Sequence, residues 1–447
     1  MDILKEKFNV SSKQDNYSSV YDLDGKVPIV TAIPFGLQHV LAMFVANITP
    51  IIIVASASGL SSQQSARLIQ CAMIIAGIGT MIQLYPVWKI GARMPIVMGI
   101  SFTFVSVLCT IGSQYGYNAV IGAVIVGGMI EGLLGLFAKY WRKIITPIVA
   151  ASVVTAIGFS LLNVGAASFG GGSGSADFGS ASNLFLGTIT LVTCLAFNIL
   201  AHKHYKQLSV LVGLIVGYIV AICMGKVDFT NVTQTSLIAL PQFLPFKPEF
   251  NLNAIISVVL IFLVSATETI GDTSALVKTG LNREVTEKEI SGSIACDGLI
   301  SSLSGIFGCM PITSFSQNVG LVAMTKVVNR FTILMGAIIM ILAGLFPVFG
   351  AILATLPEPV LGGCTLIMFG SIVVSGLQMI GDCGYNQRNL MIVALSLSIG
   401  IGFTEVPEIF AVFPDIIKSV FAENCVAVVF LTSIILSLVL PKSMEEQ

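Results

Sequence analysis

Long apolar stretches divided by short polar segments organise this chain. Charged side chains are absent from Val27 to Ala66, from Met94 to Ile130 and from Ile144 to Ala176. A helix that crosses a lipid bilayer needs about 20 apolar residues, so these stretches have room for one or nearly two such helices each. The whole pattern predicts fourteen spans, near residues 28–48, 66–88, 95–113, 117–138, 144–163, 184–201, 208–224, 253–276, 290–308, 312–327, 331–354, 359–380, 389–404 and 424–440.

The basic residues between the predicted spans test this count. An even number of spans puts both termini on one side, and cytoplasmic loops carry an excess of Lys and Arg. With a cytoplasmic N-terminus, thirteen basic residues fall in inner loops, namely Lys89, Arg93, Lys139, Arg142, Lys143, Lys203, Lys206, Lys278, Arg283, Lys288, Lys326, Arg330 and Arg388. Four fall in outer loops, namely Arg67, Lys226, Lys247 and Lys418. This asymmetry favours a multi-pass protein of the plasma membrane with both termini in the cytoplasm.

Composition agrees with a lipid-facing surface. Of the 447 residues, 55% are hydrophobic and 10% are charged, whereas soluble proteins carry roughly 25% charged residues. The net charge of −1 gives no reason to expect a nucleic-acid partner. The nine cysteines are scattered through apolar segments without a spacing typical of disulfides or metal sites. No Walker-type loop, metal-ligand cluster or catalytic triad is present, so we expect no enzyme, no metal and no cofactor.

A short motif occurs twice. Met94-Pro95-Ile96 precedes Ser101-Phe102, and Met310-Pro311-Ile312 precedes Ser314-Phe315. The two seven-span halves are therefore interpreted as related, and because seven is odd the second half is inverted. Chance matching of common residues is the alternative. The predicted organisation is a cytoplasmic tail without the apolar core of a signal peptide (1–26), a first repeat (27–226), an extracellular loop (227–252), a second repeat (253–441) and a cytoplasmic C-terminus (442–447).

Both copies of the motif are rich in Pro, Ser, Thr and Phe at membrane depth. Proline removes a backbone donor and disfavours helix in the residue before it, so we expect broken helices over 94–104 and 310–318. Irregular backbone is tolerated in a bilayer only where it is buried in protein or lines a cavity. Two matched breaks therefore predict a substrate site near the bilayer midplane. A simple proline kink is the alternative for either segment alone.

Five ionisable side chains lie deep in predicted spans: His39, Glu131, Glu268, Asp272 and Asp297. Each is costly in lipid and is therefore a functional candidate. Glu268 and Asp272 are four residues apart on one helix face, where two carboxylates resist double ionisation, which favours proton coupling. Asp272 can instead be a solvated group near the cytoplasmic end, and Asp297 can relay a proton or cap the helix break. For His39 and Glu131 a structural role is the alternative, and it is favoured for Glu131 because Lys139 follows two turns later.

A polar string from Thr313 to Lys326 begins in the second break and continues into a helix. A helix start presents free backbone donors and the positive end of the dipole. Gln317 offers both a donor and an acceptor, Glu268 can accept N–H groups, and Phe102 or Phe369 can stack on a ring. These groups match a planar heterocycle with alternating N–H and C=O groups.

From about residue 27 to residue 441 the chain resembles the nucleobase–ascorbate transporter family, also called nucleobase:cation symporter family 2. The resemblance rests on Gln317-Asn318-x-Gly320-x-x-x-x-Thr325-Lys326 ending at Arg330, with Gln38-His39, Ser101-Phe102 and Glu268. It implies a fourteen-span inverted repeat, a core domain that moves against a gate domain, and a homodimer. It also implies that spans 3 and 10 each hold a short strand whose tip meets the substrate.

The resemblance also assigns roles to residues. Glu268 and Gln317 are expected to hydrogen-bond the base, with backbone at Phe102 and Ser316, while Ala46 lines the site and Asn318 completes the motif. Gln317-Asn318 resembles the xanthine and urate branch, since uracil transporters tend to have Glu-Asn there. Asp272 and Asp297 stand where uracil carriers tend to have His and Asn, and Phe315 and Phe369 replace tyrosines of that type.

The sequence therefore predicts a symporter that imports an oxidised purine by elevator-like alternating access. Xanthine and urate both stay open, as do proton and sodium coupling. Glu268, Asp272, Asp297 and His39 are the candidates for proton coupling. The alternatives are a carrier of uracil or another base, and a channel or anion carrier on the same fold, against which the acidic Glu268 argues.

Overall fold

The computed structural model describes residues 19–202, 205–233, 238–414, 417–418 and 421–445, and it is mostly helical. Apart from turns of four residues or fewer, the elements of these residues are α1 (Ile29–Ala57), α2 (Ser62–Leu84), β1 (Met98–Ile100), α3 (Val105–Tyr115), α4 (Tyr117–Leu136), α5 (Pro147–Gly170), α6 (Ala181–Leu200), α7 (Ser209–Cys223), α8 (Leu252–Leu281), α9 (Glu287–Ile306), β2 (Ile312–Ser314), α10 (Ser316–Thr325), α11 (Arg330–Gly344), α12 (Pro347–Leu353), α13 (Glu358–Asp382), α14 (Gln387–Glu405) and α15 (Cys425–Val439).

Seven of these helices are long and apolar enough to cross a membrane: α1, α2, α4, α5, α6, α8 and α13. The pair α11 and α12 passes the same test together but is bent by 81°. Proline at the first position of α12 explains the bend, because its ring cannot continue the preceding helix. The sequence-based spans 3 and 10 are divided, since each contains a strand followed by a helix of ten or eleven residues.

The helices pack in two groups. The first group contains α1–α4 and α8–α12, in which α4 lies along α9 and α2 lies along α11. The second group contains α5–α7 and α13–α15, in which α5 lies along α13. Glycines allow the closest approaches, as small residues do between membrane helices. A Cβ on Gly298 of α9 would lie 2.1 Å from the backbone nitrogen of Gly132 in α4.

Part of the predicted N-terminal tail packs against the first group. The Asn329 side chain donates to the carbonyls of Asp22 and Gly25 at 3.0 and 2.8 Å. Asp24 forms ion pairs with Arg93 and Arg330. Residues 19–25 are therefore bound to the body of the protein, whereas residues 1–18 of the predicted tail lie outside the described residues.

Candidate functional site

The two predicted helix breaks meet as a two-stranded antiparallel sheet inside the first group. Met98 is opposite Ser314, Gly99 opposite Thr313 and Ile100 opposite Ile312. Gly99 is required by close packing, since a Cβ there would lie 2.8 Å from both the Met43 methyl carbon and the Phe315 ring. The pairing satisfies only the donors that point between the strands, so the outer edges need other partners.

Four side chains from three helices supply those partners. On the β1 edge, the Met98 N–H donates to Thr80 Oγ1 at 3.0 Å and the Ile100 N–H to Asn47 Oδ1 at 2.6 Å. On the β2 edge, the Ile312 N–H donates to Ser301 Oγ at 3.1 Å and the Ser314 N–H to Asp297 Oδ2 at 2.9 Å. All of these capping side chains are buried. The strand pair is therefore satisfied on both edges without water or lipid.

A helix begins just after each strand. The chain turns at Phe102–Phe104 into α3, and Ser316 is the first residue of α10. The first N–H groups of a helix have no partner within it, and the dipole makes this end positive. The two starts converge beside the strands, so backbone donors and positive partial charge face the same space.

A cavity of about 460 Å³ occupies that space. Its lining includes Phe102, Thr103, Glu268, Asp272, Ser316 and Gln317. Gln317 is exposed to the cavity and makes no hydrogen bond to a described residue. Half of the remaining lining comes from α5 and α13 of the second group. The cavity is therefore bounded by polar groups on one side and by an apolar helix pair on the other.

The carboxylates of Glu268 and Asp272 lie together on the polar wall. Glu268 accepts from Thr103 Oγ1 at 2.7 Å. Ser316 Oγ lies 3.4 Å from Glu268 Oε1 and 2.9 Å from Asp272 Oδ2, and Ser314 Oγ lies 3.2 Å from the same Asp272 oxygen. Because a serine hydroxyl has a single proton, Ser316 can donate to only one of the two acids at a time. This arrangement suits a pair of acids that shares a proton.

Asp297 lies behind this wall and is fully buried. Its carboxylate accepts from Gln83 Nε2 at 3.1 Å, from Thr269 Oγ1 at 2.7 Å and from the Ser314 N–H. Asp297 thus caps the edge of β2, and Ser314 connects it to Asp272 at the cavity. The proton-coupling role predicted for Asp297 stays a prediction.

The other predicted site residues lie close by but outside the cavity lining. Phe369 is fully buried and meets the Phe102 ring edge-on, with 5.4 Å between ring centroids. Ala46 is buried in α1. Asn318 lies 3.5 Å from the His39 carbonyl oxygen, while its own Oδ1 and the His39 Nδ1 have no hydrogen-bond partner among the described residues. The structure therefore separates a wall of Glu268, Asp272, Phe102, Ser316 and Gln317 from a supporting layer.

Several polar neighbours were not singled out from the sequence. Thr103 donates to Glu268, Thr269 and Gln83 donate to Asp297, and Thr80 and Asn47 cap β1. For Thr103 a signal existed, since it follows Phe102 within the first break. Gln83 and Thr80 are one helical turn apart in α2 and face the break on the same side.

A second cavity continues from the first one. It shares Ala150, Thr267, Gly271 and Met379 with the first cavity, and Pro147, Asp382 and Arg388 are also in its lining. Arg388 belongs to the face on which the sequence places most basic loop residues. The site therefore opens toward the face predicted to be cytoplasmic.

Comparisons with known proteins identify the family. A sequence model described as "Permease family" matches residues 30–409. Xanthine permease XanQ of Escherichia coli strain K12 is 32% identical, covering 96% of this chain and 95% of its own. Uric acid permease PucK of Bacillus subtilis is 36% identical, covering 90% and 93% respectively.

Solved structures show the same fold. The transmembrane domain of the cyanobacterial bicarbonate transporter BicA aligns with a TM-score of 0.56 at 15% identity, covering 92% of this chain and 99% of that domain. At this identity the likeness concerns architecture only. Together with the apolar helices and the matched permease sequences, it shows that the chain is a multi-pass membrane transporter, and it belongs to the nucleobase–ascorbate transporter family.

Proposed function

We propose that this transporter is a proton-coupled symporter that imports an oxidised purine, xanthine or urate. The observation that carries the proposal is the position of Glu268. Its carboxylate lies on the cavity wall between two helix starts, where it can accept N–H groups of a ring while the backbone donors face ring carbonyls.

The remaining cavity groups fit a dioxopurine. Gln317 extends into the cavity with an unused donor and an unused acceptor. Phe102 lines the same cavity and offers an aromatic surface to a planar ligand. The names of the relatives, xanthine permease and uric acid permease, favour this substrate class. Ala46, Phe369 and Asn318 are proposed to support the site from behind.

We also propose fourteen spans in two inverted repeats, with both termini cytoplasmic and the protein in the plasma membrane. The packing of the helices supports the repeat. α4 with α9 corresponds to α11 with α2, α8 with α4 corresponds to α1 with α11, and α6 with α7 corresponds to α14 with α15. When each helix is replaced by its counterpart in the other half of the chain, the first pair of each set becomes the second pair.

Transport is proposed to be a movement of the first group, as a core domain, along the second group, as a gate domain. The polar wall of the cavity belongs to the first group and the apolar wall to the second. Such a division lets the substrate move with the core past a smooth surface. A homodimer formed by the gate domains is part of the same proposal and follows from the family resemblance.

Proton coupling is proposed to use the acidic side chains. Glu268 and Asp272 share the Ser316 hydroxyl, and Asp297 is joined to them through Ser314. Bringing a proton to this set reduces its negative charge before substrate binds, which is the electrostatic basis for co-transport. His39 is proposed to support the site from α1.

The test is uptake of labelled xanthine into cells that lack their own purine carriers. We expect uptake that a protonophore abolishes, that replacement of sodium by choline leaves unchanged, and that unlabelled urate but not uracil reduces. Strong competition by uracil would overturn the purine assignment. Dependence on sodium with no effect of the protonophore would overturn proton coupling.

The second candidate is an anion carrier, which the structural likeness to a bicarbonate transporter suggests. Purified protein in liposomes distinguishes the two. Flux of bicarbonate or sulfate without purine binding would favour the anion carrier. The carboxylates of Glu268 and Asp272 at the cavity argue against it, because they repel a small inorganic anion.

A further inference from the structure

Glu131 is an acidic side chain that the proposed site does not use. It lies near the end of α4, and the sequence favours a structural role for it because Lys139 follows two turns later. The structure buries it completely, and neither of its carboxyl oxygens has a hydrogen-bond partner among the described residues. A buried polar group without a partner costs about 1–3 kcal/mol, so an apolar residue would make this helix more stable.

The surroundings of Glu131 contain acids and no base. The three helices that pack most closely on α4 are α9, α8 and α3. From α9 the acidic neighbour is Asp297, and from α8 it is Glu268. The Ser265 hydroxyl of α8 also faces Glu131, yet it makes no hydrogen bond to a described residue. α3 carries no acidic or basic side chain.

The helix approach at this point is very close. A Cβ on Gly298 would lie 2.1 Å from the Gly132 nitrogen and 2.7 Å from the Glu131 carbonyl carbon. Glu131 is therefore held against the residue that follows Asp297. A charge on either acid acts on the other through protein rather than through water, where it is weakly screened.

The hydrogen-bond donors rank the four acids of this region. Asp297 has three donors, and Asp272 and Glu268 each have contacts with two hydroxyls. Glu131 has none among the described residues. A carboxylate is stabilised by donors, whereas burial without donors favours the neutral acid. By this ranking a charge on Asp297 is the best stabilised of the four, and a charge on Glu131 is the least stabilised.

We propose that Glu131 and Asp297 together hold one proton of the transport cycle, and that this proton is on Glu131 in the present conformation. The inference rests on the proposed proton-coupled function and adds a proton-binding site outside the substrate cavity. Ser314 links the pair to the substrate, because its N–H stabilises the Asp297 charge and its hydroxyl contacts Asp272. Withdrawal of this N–H from Asp297 would favour transfer of the proton, in which the O–H bond of Glu131 breaks as an O–H bond of Asp297 forms, and no other reactant is needed.

The protonation state is tested on purified protein without any transport assay. The variant Glu131→Gln mimics the neutral acid, and Glu284→Gln, which removes an exposed carboxyl at the protein surface, is the control. We expect the infrared carbonyl band of protonated carboxylic acids in the wild type and in Glu284→Gln, and the loss of one component of this band in Glu131→Gln. An unchanged band in Glu131→Gln would overturn the proposal.

Thermal unfolding at different pH values gives an independent reading. The unfolded chain releases the Glu131 proton above about pH 4, whereas the folded chain retains it, so wild-type stability falls relative to Glu131→Gln as the pH rises. A stability difference that is independent of pH would overturn the proposal. If Glu131→Gln does not fold, Asp297→Asn answers the same question. Without the negative charge of Asp297, Glu131 ionises more easily, so its protonated-acid band must disappear at a lower pH than in the wild type.

The coupling role is tested in liposomes. We expect Glu131→Gln to retain exchange of labelled for unlabelled xanthine, because Glu131 is outside the cavity, but to lose at least tenfold of the accumulation driven by a pH gradient. Equal xanthine accumulation in the variant and the wild type would show that Glu131 has only a structural role. If the wild type moves no purine at all, the proposed function fails, while the infrared and unfolding experiments still decide whether Glu131 carries a proton.

Discussion

At the residue scale, Gln317 offers the sharpest test of substrate recognition. Its amide extends into the cavity without a hydrogen bond to a described residue, so a substitution there changes the ligand's environment more than the fold. Gln317→Glu replaces a donor by acceptor oxygens and adds a third carboxylate beside Glu268 and Asp272. We expect xanthine binding to weaken ten- to hundredfold, the equivalent of about 1.4–2.8 kcal/mol, measured by equilibrium binding to purified protein.

Ser371→Ala is the matched control in the same cavity. The Ser371 hydroxyl donates to the Met368 carbonyl of its own helix at 2.6 Å, so its proton is not available to a ligand. We expect its affinity for xanthine to equal that of the wild type. Unchanged affinity in Gln317→Glu would mean that Gln317 does not contact the base.

Acids at membrane depth can be recognised from the sequence alone, because each is rare and costly there. Their partners cannot. Thr269 and Gln83 are neutral residues of a kind that occurs throughout the chain, and only the folded helices bring them to Asp297. Glu131 shows the same limit, since Lys139 two helical turns later favoured a structural role, and only the close packing of α4 on α9 shows that Glu131 is buried without a partner among the described residues.

At the element scale, the strand pair depends on side chains from other helices. Thr80→Val keeps the shape of the side chain but removes the acceptor of the Met98 N–H. A buried N–H without a partner costs about 1–3 kcal/mol, so we expect a lower unfolding temperature and weaker xanthine binding. Thr80→Ser retains the hydroxyl and is the control. Equal loss in both variants would indicate a packing effect instead of a lost hydrogen bond.

The two helix breaks were predictable because proline acts locally, and both strands lie within the segments 94–104 and 310–318. The register of the pair was not predictable, since it depends on caps from α1, α2 and α9, which are distant in sequence. The bend between α11 and α12 was missed for a different reason. A charge-free run indicates the length of an apolar segment but not its direction.

At the scale of the whole molecule, the cavity opens at one face and the two groups touch at the other. Asp382 lines the open cavity, and Glu358 lies at the opposite end of the same helix, about 37 Å away. There Ser56 at the end of α1 donates to the Glu358 carboxylate, and Gln114 of α3 donates to Glu423 at 3.2 Å. These contacts join the first group to the second group on the closed side.

Removing the Ser56 contact is expected to favour the conformation that is open at this face, which is the proposed extracellular face. One hydrogen bond to a charged group contributes about 1.5–3 kcal/mol, enough to change a two-state population by tenfold or more.

Cys109 of α3 is half-buried close to Glu358 and reports the change. In a Cys223→Ser background, which removes an exposed thiol at the proposed extracellular face, Ser56→Ala should increase labelling of Cys109 by a membrane-impermeant maleimide on intact cells. Ser113→Ala, whose hydroxyl bonds its own helix, should leave labelling unchanged, and the signal should vanish in Cys109→Ser. Labelling that stays the same or falls in Ser56→Ala would mean that this contact does not hold the outer face closed.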